Sequence, residues 1–502
     1  MMTGEDEADF EAALAAMHAS RRRALRLGLG LLVATAVVTP VWQAHGEHVR
    51  RYVRGEIDLE GEPRFEPPHE PDPRALAQID FAEVHERLVP GWSIALAHAD
   101  SPYWERQADR SFERLAAELA PDPNLHALLT DVHRRLREDP VAHAPRLDYF
   151  LWAYNDYLDQ QRVPWRVEAS LALGGERPIF RTLSYEVLAD TRNAEGHRLR
   201  LVRRADRTNL LEGWLGKAGR GDEGAMVLMR RVLHFAVRHV WPALHPALDD
   251  RRPPAERSWL AYVREEVRAQ LDPETFRRLS ETAVDQQALV EVEASVAARA
   301  ACGSQFRIYS LPYNGLSERD VRVLEWAAYR SQYRPSCPEI TLDEAARIIG
   351  ASERLGQLDG MEQAVEALAM VVARAVGAHE LRHVADGEAL ECPGCPEGLD
   401  GIARDEVSAY LSAFSTEGIG YLSLFQACAT PRGDGVHGAA LDAVIEAVLP
   451  FGCEGPTLHG LYDVAGRLEK DLFGPRERVT LPALPPRVQL LPRRARASAD
   501  RP

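Results

Sequence analysis

The chain has 502 residues, 45% hydrophobic and 27% charged, with a formal charge of −16. That length supports several structural regions and a sizeable core. The acidic excess is spread along the sequence and argues against nucleic acid as a partner.

Residues 1–23 begin acidic (Glu5, Asp6, Glu7, Asp9, Glu11) and end on Arg21-Arg22-Arg23. An uncharged apolar run follows from Leu27 to Trp42. Extended to 24–44, with Arg26 snorkelling, it reaches the length of a membrane-spanning helix. The arginines precede the run, which predicts a cytoplasmic N-terminus and a periplasmic or extracellular bulk. A cleaved signal peptide is the rival reading. The partly acidic leader, and Trp42 three positions before a break after Ala44, favour an uncleaved anchor. Either way the chain is exported, and its six cysteines can pair.

Residues 45–77 are rich in proline (Pro63, Pro67, Pro68, Pro71, Pro73) and read as a linker. From 78 to 160 the pattern is helical. Phe112, Leu115 and Leu119, then Leu125, Leu128, Leu129 and Val132, recur at helical spacing on either side of Pro121-Asp122-Pro123. Tyr149, Phe150, Trp152, Tyr154 and Tyr157 form an aromatic group, read as core packing with substrate lining as the alternative. Residues 161–254 contain alternating stretches at Val167–Leu173, Phe180–Leu188 and His197–Val202, predicting a small antiparallel sheet. Such a sheet is either purely structural or an edge on which a substrate backbone can dock. Met226–Trp241 reads as a helix. Its His234 and His239 are five apart, do not share a face, and read as ordinary histidines, as does His245.

Residues 255–475 are again helical. Phe306–Leu311 is a candidate strand, and Ser317 an N-cap for the helix that follows. Cys302 and Cys337 bracket this unit and are a disulfide candidate. Met361–Ala385 is a long apolar helix with Val365, Leu368, Val371, Val372 and Val376 turned inward. Glu362, Glu366 and Arg374 interrupt it, so it is a buried helix and not a membrane span.

That helix ends on His379-Glu380-Leu381-Arg382-His383. Residues i and i+4 share a helix face, so two imidazoles can reach one metal ion while Glu380 addresses a water beside it. The pattern arises by chance in on the order of one in twenty chains of this make-up, so context decides. A hydrolytic zinc site needs a third protein ligand. Glu406 is the candidate, on a second helical stretch (Ala403–Phe414) after a turn-rich loop at 387–401.

His379-Glu380-x-x-His383 followed by a helical Glu406 resembles the gluzincin class of zinc metallopeptidases, over about residues 379–410. The resemblance implies one Zn²⁺ per chain, with His379, His383 and Glu406 as ligands and Glu380 as general base. It implies a peptide or protein substrate. Many members carry an Asp one turn after the ligand Glu; here that position is Tyr410. Asp386, Asp405 or a backbone carbonyl is then needed to orient a ligating imidazole, and Tyr410 is open to an oxyanion-facing role.

Rival readings use the same residues. Glu380-x-x-His383 is half of a di-iron bundle motif, but its only companion, Glu66-Pro67-Pro68-His69, lies in the proline-rich linker. Cys392-Pro393-Gly394-Cys395 matches redox and half-zinc motifs but lacks a second CxxC. A disulfide within it, or with Cys428 and Cys453, is the simpler expectation. A non-catalytic, membrane-anchored scaffold of the cell envelope with a degenerate metal site is the alternative function. Residues 476–502, with Pro482, Pro485, Pro486, Pro492 and Arg493-Arg494-Ala495-Arg496, read as an extended, disordered tail. The expected fold is mainly α with a small antiparallel sheet (α+β), a zincin-like core behind a single N-terminal transmembrane helix.

Overall fold

The computed structural model describes residues 67–491, leaving out 99–100, 140–142, 144–146, 175–176, 207–213, 220–223, 252–253, 300–312, 314, 334–339, 388–389, 396–400, 430–435, 450–452 and 454–459. The expected anchor at 24–44, most of the linker, the candidate strand Phe306–Leu311, and Cys302 and Cys337 lie outside the described residues. Among the described residues, no helix is long and apolar enough to cross a membrane. The described residues from Pro71 onward belong to one compact unit.

Local signals start its first helices. After short helical turns at Pro73–Leu76, Phe81–Glu83 and Val84–Leu88 come helices α1 (Val89–Ala97), α2 (Pro102–Leu119), α3 (Pro123–Glu138) and α4 (Leu147–Gln160). Ser101 caps α2, with Pro102 at its first position. Asp122 caps α3 by accepting from the N–H groups of Asn124 and Leu125, each at 2.9 Å. These helices close over a core of their own, containing Leu115, Leu119, Leu125, Leu129 and Leu136. Tyr154 and Tyr157 are buried in it, and the Tyr157 hydroxyl donates to Asp122 Oδ2 at 2.9 Å. These two tyrosines are therefore packing residues.

Five strands follow: β1 (Trp165–Gly174), β2 (Arg177–Arg192), β3 (Arg198–Arg204), β4 (Gly216–Ala218) and β5 (Ala225–Leu228). Their spatial order is β1-β2-β3-β5-β4. The first three pair antiparallel, β5 runs parallel to β3, and β4 returns antiparallel to β5 at the sheet edge. The sheet is thus mixed, which corrects the expectation of an antiparallel one. The reason lies in β5. Its apolar residues run without a break into helix α5 (Met229–Phe235), so a buried parallel strand and a helix start look alike in the sequence.

The longer helices that follow are α6 (Pro254–Gln270), α7 (Pro273–Arg299), α8 (Glu318–Ser331), α9 (Leu342–Gly356), α10 (Met361–Asp386), α11 (Gly401–Ser415), α12 (Gly420–Ala429), α13 (Val436–Val448) and α14 (Leu461–Phe473). Ser317 does cap α8, accepting from the Asp320 N–H. Helix α10 is apolar on nearly every side and is the axis of the main core. Val365, Leu368, Val371, Val372 and Val376 are at most 2% exposed, and burial of each contributes about 1.5–3 kcal/mol. Strands β4 and β5 and helix α11 pack on it. It stops at Gly387, whose φ of 61° suits a residue without Cβ, and whose N–H bonds to His383 O.

Residues 474–491 are extended, as their prolines require. They are not a loose tail. Val488 and Leu491 join the main core, and the buried Glu366 of α10 accepts from the N–H groups of Leu490 (2.8 Å) and Leu491 (3.0 Å). Arg382 donates to Glu477 O at 3.1 Å. This strap follows α10 along its length, which corrects the expected disorder for 476–491; residues 492–502 lie outside the described residues. Two cysteine pairs stand at disulfide distance, Cys392 with Cys395 and Cys428 with Cys453.

Candidate metal centre

The last turns of α10 carry His379 and His383, one turn apart on the same face. Their Nε2 atoms lie 3.2 Å apart. Helix α11 brings Glu406 against them: Oε2 is 3.6 Å from His379 Nε2, and Oε1 is 3.7 Å from His383 Nε2. Tetrahedral zinc with ligand bonds near 2.0–2.1 Å needs donor atoms about 3.3 Å from one another. Two imidazoles and a carboxylate at this spacing fit a zinc ion. The three side chains are 13–15% exposed, so the site is sheltered yet reachable. Among the described residues, no other group of His, Cys, Asp and Glu converges in this way. His234, His239 and His245 stay out of it, and His239 stacks on Phe235.

Glu406 is held by helix geometry. Val407, Leu411 and Phe414 on α11 are buried in the main core, and α11 packs on both α10 and α14. Between α10 and α11 the chain is fixed at Gly394, whose N–H donates to Leu472 O on α14 at 2.9 Å. A Cβ at position 394 would stand 2.4 Å from Asp471 O, so the loop can sit this close only with glycine. The Cys392–Cys395 pair flanks that contact.

Electrostatics set the protonation states. Burial pushes the Glu380 carboxyl up to about 7; Glu406 adds to the rise and His379 opposes it. For His379, burial disfavours the imidazolium, but the carboxylates of Glu406 and Glu380 outweigh it and the pKa is raised. Burial, with Glu406 and Glu380 nearby, drives the Tyr410 hydroxyl well above the usual tyrosine range, so it stays a donor. Its ring packs against His379, centroids 4.5 Å apart.

No protein-family model, curated protein or solved structure matches this chain.

The expected supporting carboxylates are placed differently from the sequence reading. Asp386 accepts from Arg382 Nε at 2.8 Å and Arg476 Nη1 at 3.1 Å, and from the Ser408 hydroxyl. It ties α10, α11 and the strap together, a framework role in place of the imidazole-orienting one expected. Asp405 is partly buried, its pKa raised by burial and by the neighbouring Asp386 and Glu406. Ser408 and Arg476 belong to this frame and were not legible beforehand: one hides in an ordinary helical pattern, the other in the apparent tail. Gly216 on β4 was also missed. It lies directly against Glu380, a contact between residues 164 positions apart that no local pattern encodes.

Proposed function

We propose that this protein is a zinc-dependent peptidase of the gluzincin kind. The observation that carries the reading is the convergence of His379, His383 and Glu406 at the donor spacing of one ion, with the buried Glu380 beside them. Bound there, zinc supplies Lewis-acid polarisation of a water and of a scissile carbonyl. Glu380 takes the proton of the attacking water and returns it to the leaving amine. A carboxyl with a pKa near neutrality can do both. Tyr410, kept protonated, offers a hydrogen bond to the developing oxyanion.

Strand β4 supports the choice of a peptide substrate. It is the sheet edge, and it packs on α10. An extended peptide can add to such an edge through its backbone, which brings a scissile bond over the metal helix. The paired cysteines fit an oxidising compartment, in keeping with export directed by residues 24–44 and with anchoring in the membrane.

The test is hydrolysis of an unfolded protein by the zinc-loaded chain and by Glu380→Gln. The wild type cleaves it. The variant keeps its zinc and loses about 10²–10⁴-fold in kcat. Undiminished cleavage by the variant refutes the assignment of Glu380.

A further inference from the structure

Strand β4 packs on the motif helix α10, and Gly216 lies at that contact. A Cβ built on Gly216 would lie 2.6 Å from Glu380 Cγ, 2.8 Å from Glu380 Oε1 and 2.7 Å from Val376 Cγ1. Real Cβ atoms essentially never make contacts under 3.0 Å. The backbone at Gly216 is not left-handed, since the positive-φ glycines do not include it. What this position requires is therefore space.

Val376 and Glu380 are four apart and share a face of α10, and the edge strand rests on that face. The strand cannot easily back away. Gly216, Lys217 and Ala218 are in register with Val227, Met226 and Ala225 of β5, and Lys217 is ion-paired with Glu168 of β1. A methyl group at 216 would therefore displace the Glu380 side chain or the Val376 methyl.

We propose that Gly216 is the positioning residue for Glu380: its missing side chain lets the edge strand close over the Glu380 methylenes and hold the carboxylate in one place beside the metal ligands. The inference rests on the peptidase reading and deepens it. The same strand then serves twice, offering its edge to the substrate backbone and its face to the general base. A displacement of about 1 Å at a reacting group can reduce turnover about 100-fold.

The experiment compares zinc-loaded wild type, Gly216→Ala, Val376→Ala and the V376A/G216A double variant. Bound zinc, melting temperature, kcat and KM on an unfolded protein are read for each. Val376→Ala removes the aliphatic half of the clash, so in that background the added methyl meets Glu380 alone. The expected result is full zinc content in every variant. Gly216→Ala lowers kcat about 100-fold with KM within about three-fold, and does so again in the Val376→Ala background. Recovery of kcat in the double variant, or a kcat within about three-fold of the parent in either background, overturns the inference and leaves the peptidase reading intact. Failure of both Gly216 variants to fold also overturns it, in favour of a packing role. A wild type that binds no zinc or cleaves nothing overturns the peptidase reading, and this inference with it.

Discussion

The Nε2 atoms of His379 and His383 lie 3.2 Å apart, and each faces one oxygen of Glu406. This arrangement makes the two histidines and the glutamate one chemical unit. Three donors aimed at a common point are costly to keep together without a cation, because each gives up hydration. The frame that holds them is accordingly rigid: α10 is buried on nearly all sides, α11 is keyed to it, and Asp386 bonds both to the strap.

Tyr410 is the first residue to test around this unit. Its ring is packed on His379 and its hydroxyl stays protonated. Tyr410→Phe keeps the packing and removes the donor. Zinc content stays at wild-type level while kcat falls about 10²-fold and KM changes little, as for the loss of one oxyanion donor. An unchanged kcat assigns Tyr410 a packing role only.

Acid sensitivity follows from three histidines away from the site, His85 fully buried and His133 and His234 partly so. Burial holds His85 down to about 4, although its hydrogen bond to Phe81 O pulls the other way, and burial likewise holds His133 and His234 to about 4. Their folded pKa values lie below the unfolded value of 6.5, so between the two the unfolded chain binds more protons. Stability is full above pH 6.5 and is lost as pH falls toward 4. For the fully buried His85 the loss at pH 5.5 is about 1.4 kcal/mol. Urea midpoints measured at pH 7 and pH 5.5 check this. The wild-type midpoint drops, and His85→Gln, which does not titrate, shows a shallower drop.

Glu366 tests the strap. Its carboxylate accepts from the N–H groups of Leu490 and Leu491 in the core. Glu366→Ala leaves both donors without that acceptor and costs about 3 kcal/mol. Amide exchange at Leu490 and Leu491 then accelerates far more than at residues in the centre of α10. Equal acceleration throughout points to global destabilisation in place of a local clasp.

Much of the site was legible because its information is local. The i, i+4 histidines, the helical apolar pattern from Met361, and the turn-rich loop before Glu406 all act within a few residues. The cap at Ser317 belongs to the same class. What escaped the sequence depends on distant partners. Strand β4 is three residues long and exists because β5 pairs with it. Strand β5 reads as helix because burial on both faces erases alternation. The strap reads as disordered because its proline content hides two leucine N–H groups that a buried acid more than a hundred residues earlier accepts. Asp386 looked like a partner for an imidazole; two arginines and a serine occupy it instead.

The most direct measurement is the zinc content of the chain purified without chelator and dialysed against metal-free buffer. The expected result is about one zinc per chain in the wild type and near none in His379→Ala and Glu406→Ala, each still folded. A wild-type chain without zinc, or a zinc content unchanged by both substitutions, would contradict it.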